Sequence, residues 1–267
     1  MIRRATLSRV SDTAESGRNK PIRAGIKLSN DQYVDVYLKP AGWRDLHQSS
    51  IIYEYVSACV AGLLNLPICE PFWVDCPDAL LRFCPIVGGN ALSDCIWPAF
   101  ATCHAGPQWR PLLTSEVLPP NQTNEALKIF AFDGFLDNCD RRYNNPNLLV
   151  KGYNLRMIDH ELVFSFAEVL PFLRAPPAWE TNSLDWMTAG ERQHILYPSL
   201  RKLDLIDLTS VIQSWSNIMD KDLDLILNEL PPEFNAGRVK AEDAVQRVKD
   251  VRDNIDRCVV ELERILS

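Results

Sequence analysis

The sequence predicts an α+β fold in which a β-rich N-terminal part with one long helix precedes a larger, mainly helical part. Residues 21–39 alternate in hydrophobicity and are rich in β-branched and aromatic side chains, which is typical of strands. Residues 49–64 and much of the chain after residue 184 carry apolar residues at helical spacing. The 267 residues suffice for one large domain or for two lobes.

The composition is that of an ordinary soluble globular protein, with 46% hydrophobic and 24% charged residues. A net charge of −7 argues against binding to a nucleic-acid backbone, which usually requires a basic face. Neither a signal-peptide core nor an apolar stretch of membrane-spanning length is visible. We therefore expect a cytoplasmic protein that contacts neither membranes nor nucleic acids directly.

The eight cysteines predict reduced thiols, because no pair has CxxC spacing and no secretory signal precedes them. A zinc site formed by Cys95, Cys103 and His104 is an alternative, although this spacing matches no known zinc motif.

The first 20 residues are polar and small, which favours a frayed terminus. The alternative is that residues 15–18, with Ser16 and Gly17, form a loop over nucleotide phosphates. The strands that follow form a predicted hairpin, and Lys39 lies at its end. An exposed lysine is the usual outcome at such a position.

The helix predicted over residues 49–64 has a capping serine, Ser49 or Ser50, and one apolar stripe. Glu54 lies off this stripe, which indicates a solvated glutamate. The alternative is that Glu54 faces a cleft and pairs with Lys39. Further along, residues 97–102 are a candidate connection between the two parts, and residues 239–266 predict one long amphipathic helix.

Residues 133–164 contain the strongest functional pattern. A buried helix predicted over residues 121–138 carries Asp133, which either braces the next loop or lies at the edge of the core. Asp140 and Asn145 follow in that loop, and a strand, a turn and a second strand then lead to Asp159. Phosphoryl transfer on Mg²⁺ uses such a set: a carboxylate that accepts the proton of the attacking hydroxyl, and an amide and a carboxylate that hold the metal.

Each of these residues also has an ordinary explanation. Asn is a common turn former, and an Asp after a strand often caps a helix. Asp140 beside Arg141 matches a surface ion pair. The joint occurrence of Asp140, Asn145 and Asp159 around the predicted strands favours phosphoryl transfer over these separate explanations.

Taken together, these segments resemble the HipA-like kinases, in their compact branch, whose wider relatives are phosphoinositide kinases and protein kinases. The resemblance is carried by four motifs, of which the first is specific: Asp133, Asn138-Cys139-Asp140-Arg141, Asn145-Pro146-Asn147-Leu148-Leu149-Val150, Ile158-Asp159-His160 and Phe164; Glu54-Tyr55-Val56 with Leu63-Leu64-Asn65-Leu66-Pro67; Tyr37-Leu38-Lys39-Pro40; and Leu230-Pro231-Pro232-Glu233-Phe234.

The resemblance implies a bilobal, protein-kinase-like α+β fold with an N-lobe over residues 1–98 and a C-lobe over residues 99–267. It also implies site roles. Arg141 would neutralise charge near the base or bind another acidic group. The other roles are a catalytic base (Asp140), Mg²⁺ ligands (Asn145 and Asp159), ATP phosphate contacts (Lys39, paired with Glu54) and the phosphate loop (Ser16 and Gly17).

The implied activity is ATP- and Mg²⁺-dependent phosphorylation of Ser or Thr in a protein, and because these positions are filled we expect an active enzyme. Arg142 stands where relatives often have His. A toxin–antitoxin role in growth regulation, with an antitoxin-like partner, is an expectation from the family, and autophosphorylation at Ser11, Thr13 or Ser16 is a further hypothesis. The alternatives are a lipid or small-molecule kinase, a non-catalytic nucleotide-binding module and a nucleotidyl transferase.

Overall fold

The computed structural model describes residues 2–14, 19–83, 86–87, 90–113, 116–164, 169, 175–203 and 205–267. Its strands are β1 (Arg3–Thr13), β2 (Ile22–Lys27), β3 (Tyr33–Ala41), β4 (Pro71–Asp75), β5 (Ile86–Val87), β6 (Asn90–Ala91), β7 (Ile96–Cys103), β8 (Arg110–Pro111), β9 (Leu148–Lys151) and β10 (Asn154–Met157). Its α-helices are α1 (Gln48–Leu63), α2 (Asp78–Phe83), α3 (Thr123–Phe135), α4 (Tyr197–Leu200), α5 (Thr209–Ser216), α6 (Asp220–Asn228), α7 (Arg238–Asp253) and α8 (Ile255–Leu266). The predicted α+β class is confirmed by this mixture.

Strands from the first 103 residues form a closed barrel in the order β1-β2-β3-β7-β4. The neighbours are antiparallel except for β1 and β4, which run parallel and pair Arg3 with Phe72. The predicted hairpin of β2 and β3 is present, and it places Lys39 opposite Phe100 on β7.

The frayed N-terminus favoured by the sequence is wrong. Residues Arg3–Thr13 form β1, which pairs with β2 on one side and with β4 on the other. Ala5 and Leu7 point into the core while their neighbours are exposed. This alternation is short and is interrupted by arginines and serines, which is why the polar composition concealed the strand.

The connection predicted at residues 97–102 is also wrong, because these residues belong to strand β7. Ala99, Phe100 and Ala101 are fully buried in the barrel. The boundary between residues 98 and 99 stays a prediction, and so does the division into two lobes.

The helix predicted over residues 239–266 is divided into α7 and α8 at Asn254. The backbone of Asn254 leaves the helical region, with φ −116° and ψ 22°. The helix predicted over residues 121–138 is α3, and the helix predicted over residues 49–64 is α1. Neither serine caps α1, whose N-cap is His47 without a side-chain hydrogen bond.

A small sheet in the order β10-β9-β8 carries the centre of the predicted functional segment. The strand-turn-strand prediction is confirmed by the antiparallel pairing of β9 with β10. Met157 donates its backbone N–H to the carbonyl of Pro67, so this sheet is tied to the segment that follows α1. No helix of the described residues combines the length and the apolar character that a membrane crossing requires.

Candidate active site

A buried lysine joins the barrel to the segment that follows β10. Lys39 Nζ lies 2.8 Å from Glu54 Oε2 and 2.7 Å from Asp159 Oδ1. The side chains of Lys39 and Glu54 are almost fully buried, whereas that of Asp159 is about one-third exposed. The backbone N–H of His160 donates a second hydrogen bond to Glu54, at 3.0 Å. Strand β3, helix α1 and the turn after β10 therefore meet at one ammonium group.

Both members of the buried pair are held in their charged forms. Burial alone would lower the pKa of Lys39, but the carboxylates of Asp159 and Glu54 outweigh it and hold that pKa well above the ordinary value. Burial would raise the pKa of Glu54, but Lys39 and His160 hold it below the ordinary value. The alternative in which Glu54 pairs with Lys39 agrees with this geometry, and the solvated glutamate and the exposed lysine do not.

The loop after α3 holds Asp140 through two side-chain amides. Asn145 Nδ2 donates to Asp140 Oδ2 at 2.8 Å, and Asn147 Nδ2 donates to the same oxygen at 3.0 Å. Because its amide nitrogen is engaged in this way, the Asn145 side chain keeps its carbonyl oxygen for another ligand. Burial raises the pKa of Asp140, and the nearby carboxylate of Asp159 adds to the rise.

Asn147 was given no role by sequence reasoning, yet it connects three parts of the site. Besides binding Asp140, it accepts hydrogen bonds on its backbone carbonyl from the Arg141 guanidinium and from the N–H of Ile158. Ile158 directly precedes Asp159, so Asn147 fixes the distance between the loop and the carboxylate at the end of β10. Its place in the Asn-Pro-Asn segment was the available signal.

Arg141 lies in a buried polar network around Asp133 rather than at the free oxygen of Asp140. Arg141 Nε donates to Asp133 Oδ2 at 2.6 Å, and both side chains are fully buried. Asn138 donates to the other Asp133 oxygen at 2.5 Å. Asn138 Oδ1 in turn accepts the backbone N–H of Asp140 at 3.3 Å. Asp133 therefore braces the loop, and Arg141 binds another acidic group.

His194 completes this network and was missed in the sequence. Its Nδ1 accepts the N–H of Leu196, so Nε2 carries the proton and donates to Asp133 at 2.9 Å. Burial lowers the pKa of His194 despite the adjacent Asp133. No motif precedes His194, and it lies 61 residues after its partner in the chain. Only the folded chain brings the two together.

Arg142, not Arg141, lies beside the free oxygen of Asp140. Its Nη2 is 3.7 Å from Asp140 Oδ1, and its side chain is one-third exposed. The backbones of Arg142 and Asn145 exchange two hydrogen bonds of 3.0 and 3.1 Å. The loop therefore leaves the Arg142 guanidinium partly exposed beside Asp140 and keeps the Arg141 guanidinium buried.

A third carboxylate stands near the buried lysine. Oxygens of Glu54, Asp159 and Glu161 all lie within 4.8 Å of one another. Glu161 accepts hydrogen bonds from Asn19 Nδ2 at 2.9 and 3.1 Å. Burial, together with the charge of Asp159, raises the pKa of Glu161 to about 7. Three oxygen donors at this spacing fit a divalent cation, which prefers carboxylate ligands.

The remaining site predictions have different outcomes. Ser16 and Gly17 lie outside the described residues, and Asn19, two residues after Gly17 in the chain, donates to Glu161. The thiols of Cys95 and Cys103 donate to backbone carbonyls, and His104 Nδ1 accepts the N–H of Gly106, which is not the arrangement of zinc ligands. The roles given to Lys39 and the acidic residues stay predictions.

Two solved structures are similar to the chain at low identity. The Helicobacter pylori proinflammatory kinase CtkA is 12% identical, with a TM-score of 0.47 over 94% of this chain and 97% of that chain. The Golgi casein kinase with Mn and ADP bound is 11% identical, with a TM-score of 0.46 over 96% of this chain and 73% of that chain. No curated protein matches the chain.

A family model described as HipA-like kinase matches residues 35–171, which is just over half of the chain. The matched span contains both sets of contacting side chains, namely Lys39 with Glu54 and Asp159, and Asp140 with Asn145 and Asn147. The chain therefore belongs to the family of HipA-like kinases.

Proposed function

We propose that the chain is an ATP- and Mg²⁺-dependent kinase that transfers the γ-phosphoryl group to a Ser or Thr hydroxyl of a protein. The observation that carries the proposal is that Asn145 holds Asp140 in one loop, while Asp159, whose charge acts on Asp140, contacts the buried Lys39–Glu54 pair. Such an arrangement supplies a base, ligands for a cation and a charge that faces phosphates.

Asp140 is the proposed base. One of its oxygens is fixed by two amides, which leaves Oδ1 to accept the proton of the acceptor hydroxyl. In the reaction, the acceptor oxygen forms a bond to the γ-phosphorus while the bond to the bridging β–γ oxygen breaks, and ADP leaves. The raised pKa of Asp140 suits a group that takes up this proton. Arg142 lies close enough to face the charge that develops there.

Asn145 and Asp159 are the proposed ligands of Mg²⁺, which neutralises phosphate charge when it is bound. The free carbonyl of Asn145 and the exposed edge of Asp159 fit this use, since both are oxygen donors. Lys39 would exchange its contact with Asp159 for the α- and β-phosphates and keep its contact with Glu54. Ser16 and Gly17 belong to the proposed phosphate loop.

Incubation with γ-labelled ATP, Mg²⁺ and a mixture of protein acceptors tests the proposal. Wild-type protein is expected to transfer label, while Asp140→Asn and Asp159→Asn lose it by at least about 100-fold. Asp224→Asn is the matched control, because this carboxylate is exposed on α6. Equal labelling by wild type and both site variants would refute the proposal. Transfer of label from α-labelled ATP, with none from γ-labelled ATP, would indicate nucleotidyl transfer.

The acceptor class rests on the family resemblance. Lipid and small-molecule acceptors in the same assay separate the alternative kinase from a protein kinase. Binding of ATP without transfer to any acceptor, with Asp140→Asn still fully effective in cells, would support a non-catalytic module. Phosphopeptide mapping tests autophosphorylation at Ser11, Thr13 and Ser16. The toxin–antitoxin role and the antitoxin-like partner stay predictions, tested by growth arrest that depends on Asp140.

A further inference from the structure

Helix α1, which carries Glu54, has no solvent-exposed face along its central two turns. Every residue from Ile51 to Ala58 is at most 4% exposed. A helix that only covered a barrel would show a polar, solvated side. A second structural element therefore covers the side of α1 that does not face the cleft.

That element comes from near the C-terminus. We name the segment of α6, the 3₁₀ turn Pro232–Gly237 and α7 the C-terminal clasp; it spans residues 220–253. The Tyr55 hydroxyl donates to the carbonyl of Ile226 at 2.8 Å, in a buried position. Gln48 Nε2 donates to the carbonyl of Glu233 at 2.9 Å. Both bonds join α1 to backbone carbonyls of the clasp.

The contact between α1 and the clasp is also tight in its apolar part. A Cβ atom at Gly237 would lie 2.5 Å from Cδ1 of Ile52, so the clasp backbone approaches the helix as closely as glycine allows. The buried ring of Phe234 lies 5.2 Å from that of Trp73 on β4, and Trp73 lies 5.2 Å from Tyr55. Phe234 thus packs on the barrel at Trp73, whose ring also contacts Tyr55 of α1.

The other end of the clasp reaches the loop that holds the proposed base. Arg247 on α7 lies 3.5 Å from Asp137 and stacks over the ring of Trp179. Asp137 immediately precedes Asn138, whose side chain holds the backbone of Asp140. The turn that leads into α7 therefore contacts α1, and the middle of α7 contacts the base loop.

From these contacts we propose that the C-terminal clasp is an intramolecular positioning element, which holds α1 so that Glu54 stays on Lys39. Phe234 of the clasp and Tyr55 of α1 are the positioning residues at this contact, and they act through Glu54 without touching substrate. The charged pair comes from β3 and α1, and the C-terminal segment of the same chain supports the helix that carries Glu54. An effect of this positioning on catalysis rests on the proposed kinase function, whereas the contact of Glu54 with Lys39 does not.

Acylation of lysines by an N-hydroxysuccinimide ester, followed by peptide mass spectrometry, reports the burial of Lys39 without any reference to catalysis. The paired Lys39 should react slowly, because its amine is buried and is bonded to the carboxylates of Glu54 and Asp159. Phe234→Leu and Tyr55→Phe should raise its rate by roughly tenfold or more, since loosening α1 increases the open population. The partly exposed Lys151 is the internal reference and should not change.

Leu262→Ala is the matched control for general destabilisation. It empties a buried position on α8, which packs on α5 and α7. This variant should lower the melting temperature while the Lys39 rate stays near the wild-type value. The proposal would be overturned if the Lys39 acylation rate were unchanged in Phe234→Leu and Tyr55→Phe, or if that rate rose equally in Leu262→Ala.

A kinetic cycle then separates positioning from stability. Phe234→Leu should lower kcat/KM for ATP by about fivefold or more in the wild-type background, and by less than about twofold when Glu54→Gln is already present. Equal losses in both backgrounds would show that Phe234 does not act through Glu54. If the wild-type protein has no transfer activity, the kinase proposal fails while the acylation result still decides the positioning inference.

Discussion

Separating Asp133 from Arg141 should destabilise the fold strongly, although neither residue lies in the hydrophobic core. Their side chains are fully buried, and Arg141 Nε lies 2.6 Å from Asp133 Oδ2. Burial alone would raise the pKa of Asp133, but Arg141 and His194 lower it to about 2, so the pair is ionised. Asp133→Ala leaves a buried guanidinium without its carboxylate. This type of change costs about 3–5 kcal/mol of unfolding free energy.

The measurement is a double-mutant cycle with Arg141→Met, in which urea unfolding is followed by tryptophan fluorescence. Each single variant should lose about 3–5 kcal/mol, and the double variant should lose about 2 kcal/mol less than the sum. Glu70→Ala is the control, because it breaks an ion pair in which the side chains of Glu70 and Arg3 are both about half exposed. It should change the free energy of unfolding by less than about 1 kcal/mol. Additive losses, or losses no larger than that of Glu70→Ala, would refute the buried-pair argument.

Two further substitutions test the loop itself. Asn147→Gly tolerates the positive φ of 42° at this position but removes the amide that binds Asp140, so kcat should fall by about tenfold or more with little change in the melting temperature. Asn154→Gly is the control, because Asn154 is an exposed asparagine on β10. Equal activity of both variants would contradict the role given to Asn147. Asp137→Asn tests pH dependence. Burial raises the pKa of Asp137 to about 6, so the folded protein favours the protonated carboxyl. The free energy of unfolding therefore falls as pH rises from about 4 to 6 and the carboxyl ionises. The variant should therefore gain up to about 3 kcal/mol over wild type above pH 7 and nothing near pH 4 in urea unfolding; a gain that is equal at both pH values would exclude this linkage.

The local part of the site could be predicted from sequence because its residues are close together in the chain. Asp140, Asn145 and Asp159 are separated by one loop and one hairpin, and both are specified by local signals. Turn-forming residues precede β9, and Gly152, with φ 58°, allows the turn before β10. Strand alternation and turn chemistry therefore set the spacing of the acidic residues without long-range information.

Helix α1 shows why the rest could not be predicted. Periodicity identifies a helix that is buried on one side, and Glu54 lies off the apolar stripe of α1. The structure buries the whole circumference because the barrel side of the helix meets Lys39 and the clasp covers the other side. When a helix is buried on all sides, a glutamate that lies off its apolar stripe is also buried. No local sequence pattern distinguishes such a glutamate from a solvated one.

The barrel illustrates the same limit for strands. β1 and β7 are held by partners that lie far away in sequence, such as the parallel pairing of β1 with β4. Register between distant strands depends on closure of the barrel rather than on neighbouring residues. Sequence alone therefore predicts a frayed terminus for the polar β1 segment and a connection for the proline-containing β7 segment. His194 belongs to this class too, since Asp133 becomes its partner only after folding.

The charges around Lys39 explain why the pKa values of Lys39, Asp140 and Glu161 are all raised. One ammonium, that of Lys39, faces the carboxylates of Glu54, Asp159 and Glu161, so negative charge exceeds positive charge locally. Lys39 is consequently held protonated, while Glu161 and Asp140 are harder to ionise, mainly because of burial and also because Asp159 is close. A phosphate chain entering this site would meet like charge unless a cation entered with it. If the proposed nucleotide binds here, the excess of carboxylates would favour its metal-bound form over the free anion.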